Sequence, residues 1–551
     1  MAMKIPKSGY SRFMKEGAQS FKGLDEAVMR NIEACVELSN QIRSAYGPNG
    51  MNKMVINHIE KMFVTNDAAT ILNELEVQHP AARMIVMATQ QQEAQIGDNT
   101  NTVLILAAAL LEHAAELIKM GLKPVEIAAG YGLAYEKAAE ILPELVAATF
   151  SDLNDLEKTR KVLKASIMSK QYDQYELVAD LVAKACVQTV PRNASGFNVD
   201  NIRVVKILGA GVGSSHVMNG MVFKRGAEGD VKKVSNARVA VFACPFDLTQ
   251  TETKGTVLMN NAEDLLQFSK TEESEVESQV KALADAGVNV VVAAGKFGDI
   301  YLHYLNKFKI MGVRLVSKFD MRRLCRTIGA QAQARVHAPG VEAYGQCNEV
   351  YTKEIGGDHV VVFDRTTDVA RVATVIIRGS SQSLMDDVER AVDDAVNTYK
   401  ALTKGRTGGF FSLLAGAGAV EIELARRIES IGEKFEGLEQ YAVKKFAAAL
   451  DTLPKLLAEN AGLKPNEILS TLRAAHQKGD SHHGLDVVNG TIMNAVENNI
   501  FDLLNAKKLA FKLATNAAST VLVVDQIIMA KPAGGPPVRA PKGQDEDDGM
   551  A

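Results

Sequence analysis

The chain has 551 residues, of which 47% are hydrophobic and 23% are charged, and its formal net charge at pH 7 is −4. At about 150 residues per domain, this length exceeds one hydrophobic core and indicates three or four domains. The near balance of charge excludes a strongly basic binder of nucleic acid or of a membrane surface.

The cysteines and the N-terminus indicate a reducing compartment. An odd number of widely spaced cysteines without a CxxC pair predicts reduced thiols, with neither a disulfide framework nor a zinc site. The N-terminal stretch MAMKIPKSGYSRF lacks the apolar core of a signal peptide, and the most apolar stretch, residues 103–111, is too short to span a bilayer. We therefore expect a cytoplasmic protein without a membrane segment. The cysteines are Cys35, Cys186, Cys244, Cys325 and Cys347.

Helical spacing dominates both ends of the chain, and a different pattern separates them. Residues 24–145 are rich in Ala, Met, Leu and Glu and are interrupted by one predicted hairpin at 54–65, and the helical pattern returns at 408–530. In the middle, short β-branched runs alternate with helical stretches, which is typical of an α/β domain. The runs are 204–208, 237–244, 288–293, 313–316, 359–363 and 374–378, and the helical stretches include 274–286 and 299–309. We expect the two ends to fold together around an inserted α/β middle.

Three motifs in the N-terminal part mark turns that suit a phosphate. Residues 44–54 read SAYGPNGMNKM, residues 64–72 read VTNDAATIL, and residues 97–102 read GDNTNT. In GDNTNT a Gly relieves the backbone, an Asp can hold a divalent metal, and amides and hydroxyls lie at the positive end of the next helix. Ordinary loop and helix-cap chemistry explains each motif equally well. In the second motif, Asp67 either caps a helix or faces a γ-phosphate or its attacking water.

Three glycine- or acid-rich motifs follow. Residues 414–421, LAGAGAVE, place small residues before a helix and allow close backbone approach. Residues 208–214, LGAGVGS, lack the third Gly of a dinucleotide fingerprint and precede strand-like text, so we interpret them as a turn between strands. The stretch 378–396, RGSSQSLMDDVERAVDDAV, spreads its acids over more than one helix face, so most of them should be solvated. Those acids are Asp386, Asp387, Glu389, Asp393 and Asp394.

The order of these motifs resembles the group II chaperonin family. GPNGMNKM, TNDAATIL, GDNTNT, RGSSQSLMDDVERAVDDA, GAGAVE and VLVVDQIIMAKP follow one another between residue 23 and about residue 532. The resemblance implies an ATP-driven protein-folding machine that uses ATP/ADP and Mg²⁺ in the eukaryotic cytosol or in archaea. It also implies paralogous partner subunits in two stacked eight-membered rings, unfolded polypeptide substrates such as actin- and tubulin-like clients, and no nucleic-acid or membrane partner.

The resemblance also implies a multidomain α and α/β fold. A mostly helical equatorial domain would comprise residues 1–152 and 408–551, and a small intermediate hinge domain would comprise 153–222 and 374–407. An inserted α/β apical domain, 223–373, would bind substrate and carry a helical lid protrusion at about 249–281.

Residues far apart in the chain would form one ATP site in this family. Asp67 and Asp394 match the catalytic carboxylates near the γ-phosphate, and Asp98 matches the magnesium ligand. The remaining matches are nucleotide-binding residues: Tyr46, Gly47, Pro48, Asn66, Asn99, Thr100, Asn101, Thr102, Ser169, Lys170, Gly418 and Asp502.

The chain departs from the family pattern at four residues. Asn99 and Asn101 replace the second Gly and the last Thr of the usual GDGTT, Ala417 replaces the middle Gly of a three-Gly run, and Ala68 replaces a Gly. Asn99 requires a backbone that a non-Gly residue tolerates. Since the three carboxylates remain, we expect competent hydrolysis, with slower turnover and altered nucleotide retention.

Two rival functions follow from particular residues. A structural ring subunit with weak or no hydrolysis would fit the two Asn replacements. A nucleotide-dependent metabolic enzyme would rest on LGAGVGS alone, and NAD binding would be needed to support it.

Overall fold

The structure is a computed structural model that describes residues 19–20, 24–150, 154–190, 197–247, 262–338, 340–365, 372–404, 406–407 and 410–529. The N-terminal part of these residues is mainly helical and contains the predicted hairpin. Its elements are β1 (Gln19–Ser20), α1 (Leu24–Arg43), β2 (Lys53–Ile56), β3 (Met62–Thr65), α2 (Ala68–Glu74), α3 (Pro80–Gln95), α4 (Thr100–Lys119), α5 (Pro124–Ile141) and β4 (Val146–Phe150).

The middle of the chain alternates strands and helices, as the sequence predicts. Its elements are α6 (Leu156–Met168), α7 (Tyr175–Thr189), β5 (Ile202–Leu208), β6 (His216–Asn219), β7 (Met221–Phe223), β8 (Ala227–Glu228), β9 (Lys233–Phe242), α8 (Ala262–Asp285), β10 (Val290–Ala293), α9 (Asp299–Lys307), β11 (Met311–Arg314), α10 (Lys318–Ile328), β12 (Ala332–Gln333), β13 (Gly345–Ile355), β14 (Asp358–Asp364), β15 (Ala373–Gly379) and α11 (Gln382–Lys404).

The C-terminal part returns to helices, with several short strands between them. Its elements are β16 (Arg406–Thr407), β17 (Phe410–Ala415), α12 (Ala419–Gly432), α13 (Glu439–Leu450), α14 (Thr452–Asn460), α15 (Pro465–Gln477), β18 (His483–Asp486), β19 (Thr491–Asn494), β20 (Phe501–Leu503), α16 (Leu504–Leu522) and β21 (Ile528–Met529).

Both chain ends share one hydrophobic core around α4. This helix packs against α1 and α3 from the N-terminal part and against α13 and α16 from the C-terminal part. It is the one described helix that is long and apolar enough to cross a membrane by length and composition alone. Its apolar side chains, from Val103 to Leu117, are mostly buried in this core. Core packing therefore accounts for its composition.

The middle of the chain builds two sheets. The larger one has the order β7-β14-β13-β9-β10-β11-β8, in which β9, β10 and β11 are parallel and β12 also pairs with β9. Apolar side chains cover both of its faces in separate clusters. The smaller sheet, β5-β15-β6, lies against α7 and α11. The predicted class, multidomain α and α/β with an inserted α/β region, is confirmed.

Several strands escaped prediction. The C-terminal part was expected to be helical, but β17 pairs with β4 and β20, and β18 pairs with β19. The β17 sequence FFSLLA is a short apolar run, which fits a buried strand as well as a helix. Strand β13, GQCNEVYTKEI, contains too many polar residues to be recognised as an apolar strand, although it pairs with both β9 and β14.

The predicted lid protrusion at 249–281 lies partly outside the described residues. Residues 248–261 are not among them, whereas α8 is described as one helix whose C-terminal half packs on α9. In contrast, the turn expected at residues 208–214 is confirmed, because a single 3-10 turn, Val212–Ser214, joins β5 to β6.

Candidate functional site

A cavity of about 380 Å³ lies where turns from both chain ends meet α6 and the start of α16. Most of the predicted nucleotide-binding residues line it although they are separated by up to several hundred positions. The lining includes Tyr46, Gly47, Pro48, Asp98, Asn99, Thr100, Asn101, Thr102, Ser169, Lys170, Gly418 and Asp502. Asn66, Asp67 and Asp394 lie beside this lining and contact it through Ser169 and Lys170.

The GDNTNT turn delivers the N-terminus of α4 to the cavity. Gly97 has φ +85° and the N-cap Asn99 has φ +65°, so the chain turns sharply before the helix begins. A left-handed conformation is tolerated better by Asn than by most residues, as expected for this replacement of Gly. The first-turn amides of a helix without an internal partner, together with its dipole, favour an anion.

The Asn101 side chain fastens three backbone segments behind this turn. Its Oδ1 accepts a hydrogen bond from the Ala68 amide at 2.8 Å, and its Nδ2 donates to the carbonyls of Asn66 at 3.1 Å and Ala45 at 3.3 Å. Both N–H groups of the amide are thus used within the protein. Asn101 therefore joins the backbone at Ala45, Asn66 and Ala68 to the start of α4, a role that the sequence did not reveal.

We expect Asn101→Thr to destabilise the protein although it restores the residue usual in the family. A Thr side chain cannot reach all three backbone partners, and leaving buried groups without hydrogen bonds costs about 1–3 kcal/mol. Denaturant unfolding of the full chain measures this change. Asn99→Gly is the control, since Gly adopts the same backbone and should shift the free energy of unfolding by only about 0.5 kcal/mol. An Asn101→Thr protein as stable as this control would contradict the assignment.

A buried ammonium group bridges the two predicted catalytic carboxylates. Lys170 Nζ lies 2.8 Å from Asp67 Oδ1 and 3.3 Å from Asp394 Oδ2. Asp67 also caps α2 by accepting from Thr70, and it accepts from Thr100 Oγ1 at 3.0 Å. The helix-cap and catalytic interpretations of Asp67 are therefore compatible in one geometry.

The environment shifts the pKa values of Asp67 and Asp394 in opposite directions. Burial would raise the pKa of Asp67, but the Lys170 cation and the Thr70 hydrogen bonds outweigh it and hold that pKa well below its usual value. Burial raises the pKa of Asp394 well above its usual value, and Lys170 offsets only part of this effect. For Lys170, burial would lower the pKa, but the two carboxylates raise it above the usual value. Paired carboxyl groups with opposed shifts are typical of acid–base sites.

The other acids of α11 are less solvated than expected. Asp386 and Glu389 are partly buried and pair with Lys206 at 2.6 Å each. Asp387 is buried and accepts a hydrogen bond from Gln171. Of the five acids, only Asp393 is exposed. The expectation that most are solvated is wrong, because β5 and the turn after α6 pack on two faces of this helix.

A second buried cation, Lys507, lies beside Asp502 and was missed from the sequence. Its Nζ lies 2.6 Å from Glu421 Oε1 and 3.1 Å from Asp502 Oδ2. Burial raises the pKa of Asp502, and Lys507 opposes that rise. Burial also raises the pKa of the neighbouring Tyr46 to about 12. A Lys five residues after an Asp at a strand-to-helix junction is a weak signal, so only the fold reveals this pair.

The hairpin of β18 and β19 forms a further wall that sequence reasoning did not include. Its residues Leu485, Asp486, Asn489 and Met493 line the cavity. Its only sequence signal is the Asn-Gly turn at residues 489–490. The hairpin contacts Ala417, the residue before Gly418, because the Leu485 amide donates a hydrogen bond to the Ala417 carbonyl at 2.9 Å.

The donor set suits magnesium that arrives with a phosphate ligand. Among the described residues, no group of three or more His, Cys, Asp or Glu side chains could hold a metal alone. Asp98 lines the cavity, and its Oδ1 accepts from the Asn99 amide at 2.6 Å. Magnesium is commonly bound through one or two carboxylates plus substrate phosphates and waters. A single well-held carboxylate fits that mode.

These features define a class of protein. A helical unit formed from both chain ends, an α/β region inserted between them and a polar cavity that contacts α6 and α11 together make the chaperonin architecture.

Comparison with known proteins identifies the family. The sequence model of the TCP-1/cpn60 chaperonin family matches residues 38–532. The chain is 68% identical to T-complex protein 1 subunit theta of Caenorhabditis elegans, over 100% of both chains. It is 55% identical to the subunit of that name from Homo sapiens, over 99% of this chain and 100% of the relative. The chain belongs to the TCP-1/cpn60 chaperonin family, which confirms the resemblance found in the sequence.

Proposed function

We propose that the chain is an ATP-hydrolysing subunit of a cytosolic chaperonin double ring that encloses and folds unfolded polypeptides. The observation that carries the ATPase part is the Asp67–Lys170–Asp394 cluster beside the N-terminus of α4. Family membership supports the folding function, and the relatives' name, T-complex protein 1 subunit, supports a ring of paralogous subunits. Actin- and tubulin-like clients remain an implication of the family.

The chemistry of hydrolysis requires positioning and charge neutralisation. The amides of Thr100 and Thr102 and the Thr102 hydroxyl would bind phosphate oxygens, while Gly418 and Asp502 would bind the ribose. The Asn99 amide and the Thr100 hydroxyl already donate to Asp98 and Asp67. Asp394 Oδ2 is buried and makes no hydrogen bond among the described residues, although Lys170 lies nearby. The Asp394 side chain is 17% exposed, so the other oxygen of this carboxylate would accept a proton from the attacking water, and Asp67 would help to orient that water.

Magnesium, when bound with ATP, neutralises phosphate charge. Asp98 would hold it, and Lys170, which contacts both Asp67 and Asp394, would add a second positive charge. The buried Lys507 keeps negative charge on Asp502, which a ribose hydroxyl donor requires.

We propose that hydrolysis moves the inserted region through hinges. The domain boundaries inferred from the resemblance would place α6, α7 and α11 in the intermediate domain. Asp394 and Lys170 would then report the state of the γ-phosphate to that domain. Arg390 also links α11 to the N-terminal part, since its Nη1 donates to the Val64 carbonyl at 3.1 Å.

A structural ring subunit with weak hydrolysis is the second candidate. The observation that favours it is Asn101, whose amide is fully engaged with the backbone and offers no hydroxyl to a phosphate. Single-turnover phosphate release from the purified chain distinguishes the two candidates, because a structural subunit would bind ATP without releasing phosphate.

We expect Asp98→Asn to raise the magnesium concentration needed for hydrolysis. The variant keeps the size of the side chain but loses the charge that attracts the cation. Phosphate release titrated with MgCl₂ at saturating ATP should show half-maximal activity at a concentration about tenfold higher or more. Asp486→Asn is the control, because Asp486 also lines the cavity but is bound to its own turn at Val488 and Asn489. Equal magnesium dependence in both variants would contradict the assignment of Asp98.

A further inference from the structure

A buried charged network outside the cavity joins two of its walls. His476 on α15 has a fully buried side chain, and the Glu423 side chain on α12 is 2% exposed. The His476 Nδ1 lies 3.1 Å from Glu423 Oε2, and its Nε2 lies 2.8 Å from the carbonyl oxygen of His483, the first residue of β18. Both of these oxygens are acceptors, so each ring nitrogen that carries a hydrogen has a partner.

The carboxylate of this network also accepts hydrogen bonds from two arginine side chains. Glu423 accepts from Arg426 Nη2 at 2.6 Å and from Arg427 Nε at 2.8 Å, both from its own helix. Burial would raise the pKa of Glu423, but His476 and the two arginines together hold it well below its usual value. A buried carboxylate with this many donors keeps one position, because the loss of any donor leaves part of its negative charge without compensation.

The network connects two elements that border the cavity, the helix that follows Gly418 and the β18–β19 hairpin. Helix α12 begins directly after Gly418, its N-cap, and carries Glu423 about one turn later. The β18–β19 hairpin supplies another wall of the cavity. The hairpin also touches the Ala417 turn closely, since a Cβ on Gly484 would lie 2.8 Å from the Ala417 carbonyl oxygen. Turn and hairpin are therefore in close backbone contact, and a side chain at position 484 would force them apart.

We propose that His476 is a positioning residue that holds the β18–β19 hairpin at the distance from Gly418 that nucleotide binding requires. The inference rests on the proposed function, since it concerns the affinity of that same cavity. It does not involve the phosphate chemistry, because Asp67, Lys170 and Asp394 lie on other elements. His476 thus acts on nucleotide affinity and leaves turnover at saturating ATP unchanged.

Two amide variants separate the two hydrogen bonds of the ring. In His476→Gln the amide nitrogen replaces Nε2 and can still donate to the His483 carbonyl. In His476→Asn the amide nitrogen replaces Nδ1 and reaches Glu423, so the hydrogen bond to the His483 carbonyl of the hairpin is lost. We expect the Kd for ATP of the Asn variant to rise about tenfold, and that of the Gln variant to stay within about threefold of wild type. The kcat at saturating ATP should be the same in all three proteins.

Arg473→Gln is the matched control on the same helix. Arg473 pairs with Asp451 rather than with the hairpin, so its loss weakens α15 without freeing β18. Hydrogen exchange of the nucleotide-free full chain gives an independent measurement. The amides of residues 484–494 should exchange faster in His476→Asn than in Arg473→Gln.

Equal affinities in the Asn and Gln variants, or equal losses in the Asn variant and the Arg473→Gln control, would overturn the inference. If wild-type protein failed to bind ATP, the proposed function would fall. Hydrogen exchange would then still decide whether His476 holds the hairpin.

Discussion

Asp394→Asn should stop ATP hydrolysis while leaving ATP binding nearly intact. The variant keeps the size of the side chain beside Lys170 but loses the carboxylate that would accept the proton of the attacking water. Removing a general base costs about 10²- to 10⁴-fold in rate. Single-turnover phosphate release and equilibrium binding of a fluorescent ATP analogue measure the two quantities separately. Wild-type phosphate release from the variant would refute the catalytic role.

The neighbouring residue supplies the control for this prediction. Asp393 lies on the exposed side of the same helix, whereas Lys170 pairs with Asp67 and Asp394. Asp393→Asn should therefore hydrolyse ATP at close to the wild-type rate. In wild type, burial raises the pKa of Asp394, so the rate should fall with acidification at a higher pH than an ordinary carboxylate would give. The Asn variant should lack this acid limb, because Asn does not titrate.

The fold class was predictable because its signals are local and repeated. Alternation of β-branched runs with helical stretches located β9, β10, β11 and β14 close to their observed positions. Pro is favoured at the first position of a helix, and Pro124 and Pro465 are the first residues of α5 and α15. These features depend on backbone preference and burial, which short stretches of sequence express directly.

The site was predictable only through the family resemblance and only in part. Composition and spacing left Asp67 and Asp394 as two acids among many, since nothing local says that residues 327 positions apart share one ammonium group. Lys507 and His476 act through contacts made by the tertiary fold, so no motif marks them. Asn101 illustrates the opposite case, because the motif suggested a phosphate contact where the side chain is engaged with the backbone.

Lys170→Met should destabilise the nucleotide-free protein more than any other single substitution considered above. The change retains much of the volume of the side chain but removes the only cation that contacts both Asp67 and Asp394 among the described residues. Removing one partner from a buried ion pair costs about 3–5 kcal/mol, because the remaining charge is left without compensation. Thermal unfolding should show this loss, and hydrogen exchange should accelerate at the end of α6. Lys164→Met is the control, since among the described residues Lys164 Nζ contacts the Asn498 carbonyl and the Tyr175 ring and no carboxylate.

The loss of stability in Lys170→Met should depend on pH in one direction. In wild type the pKa of Asp67 is lowered, so its contribution to stability is present at neutral pH and is lost only in strong acid. The pKa of Lys170 is raised, so its contribution persists throughout the neutral range. In Lys170→Met both carboxyl groups lose their cation and bind protons more readily, and protonation removes their repulsion. The difference in melting temperature between wild type and variant should therefore shrink as the pH falls from 8 to 5. A difference that stays constant over this range, or one no larger than that of Lys164→Met, would show that Lys170 does not hold the two carboxylates together.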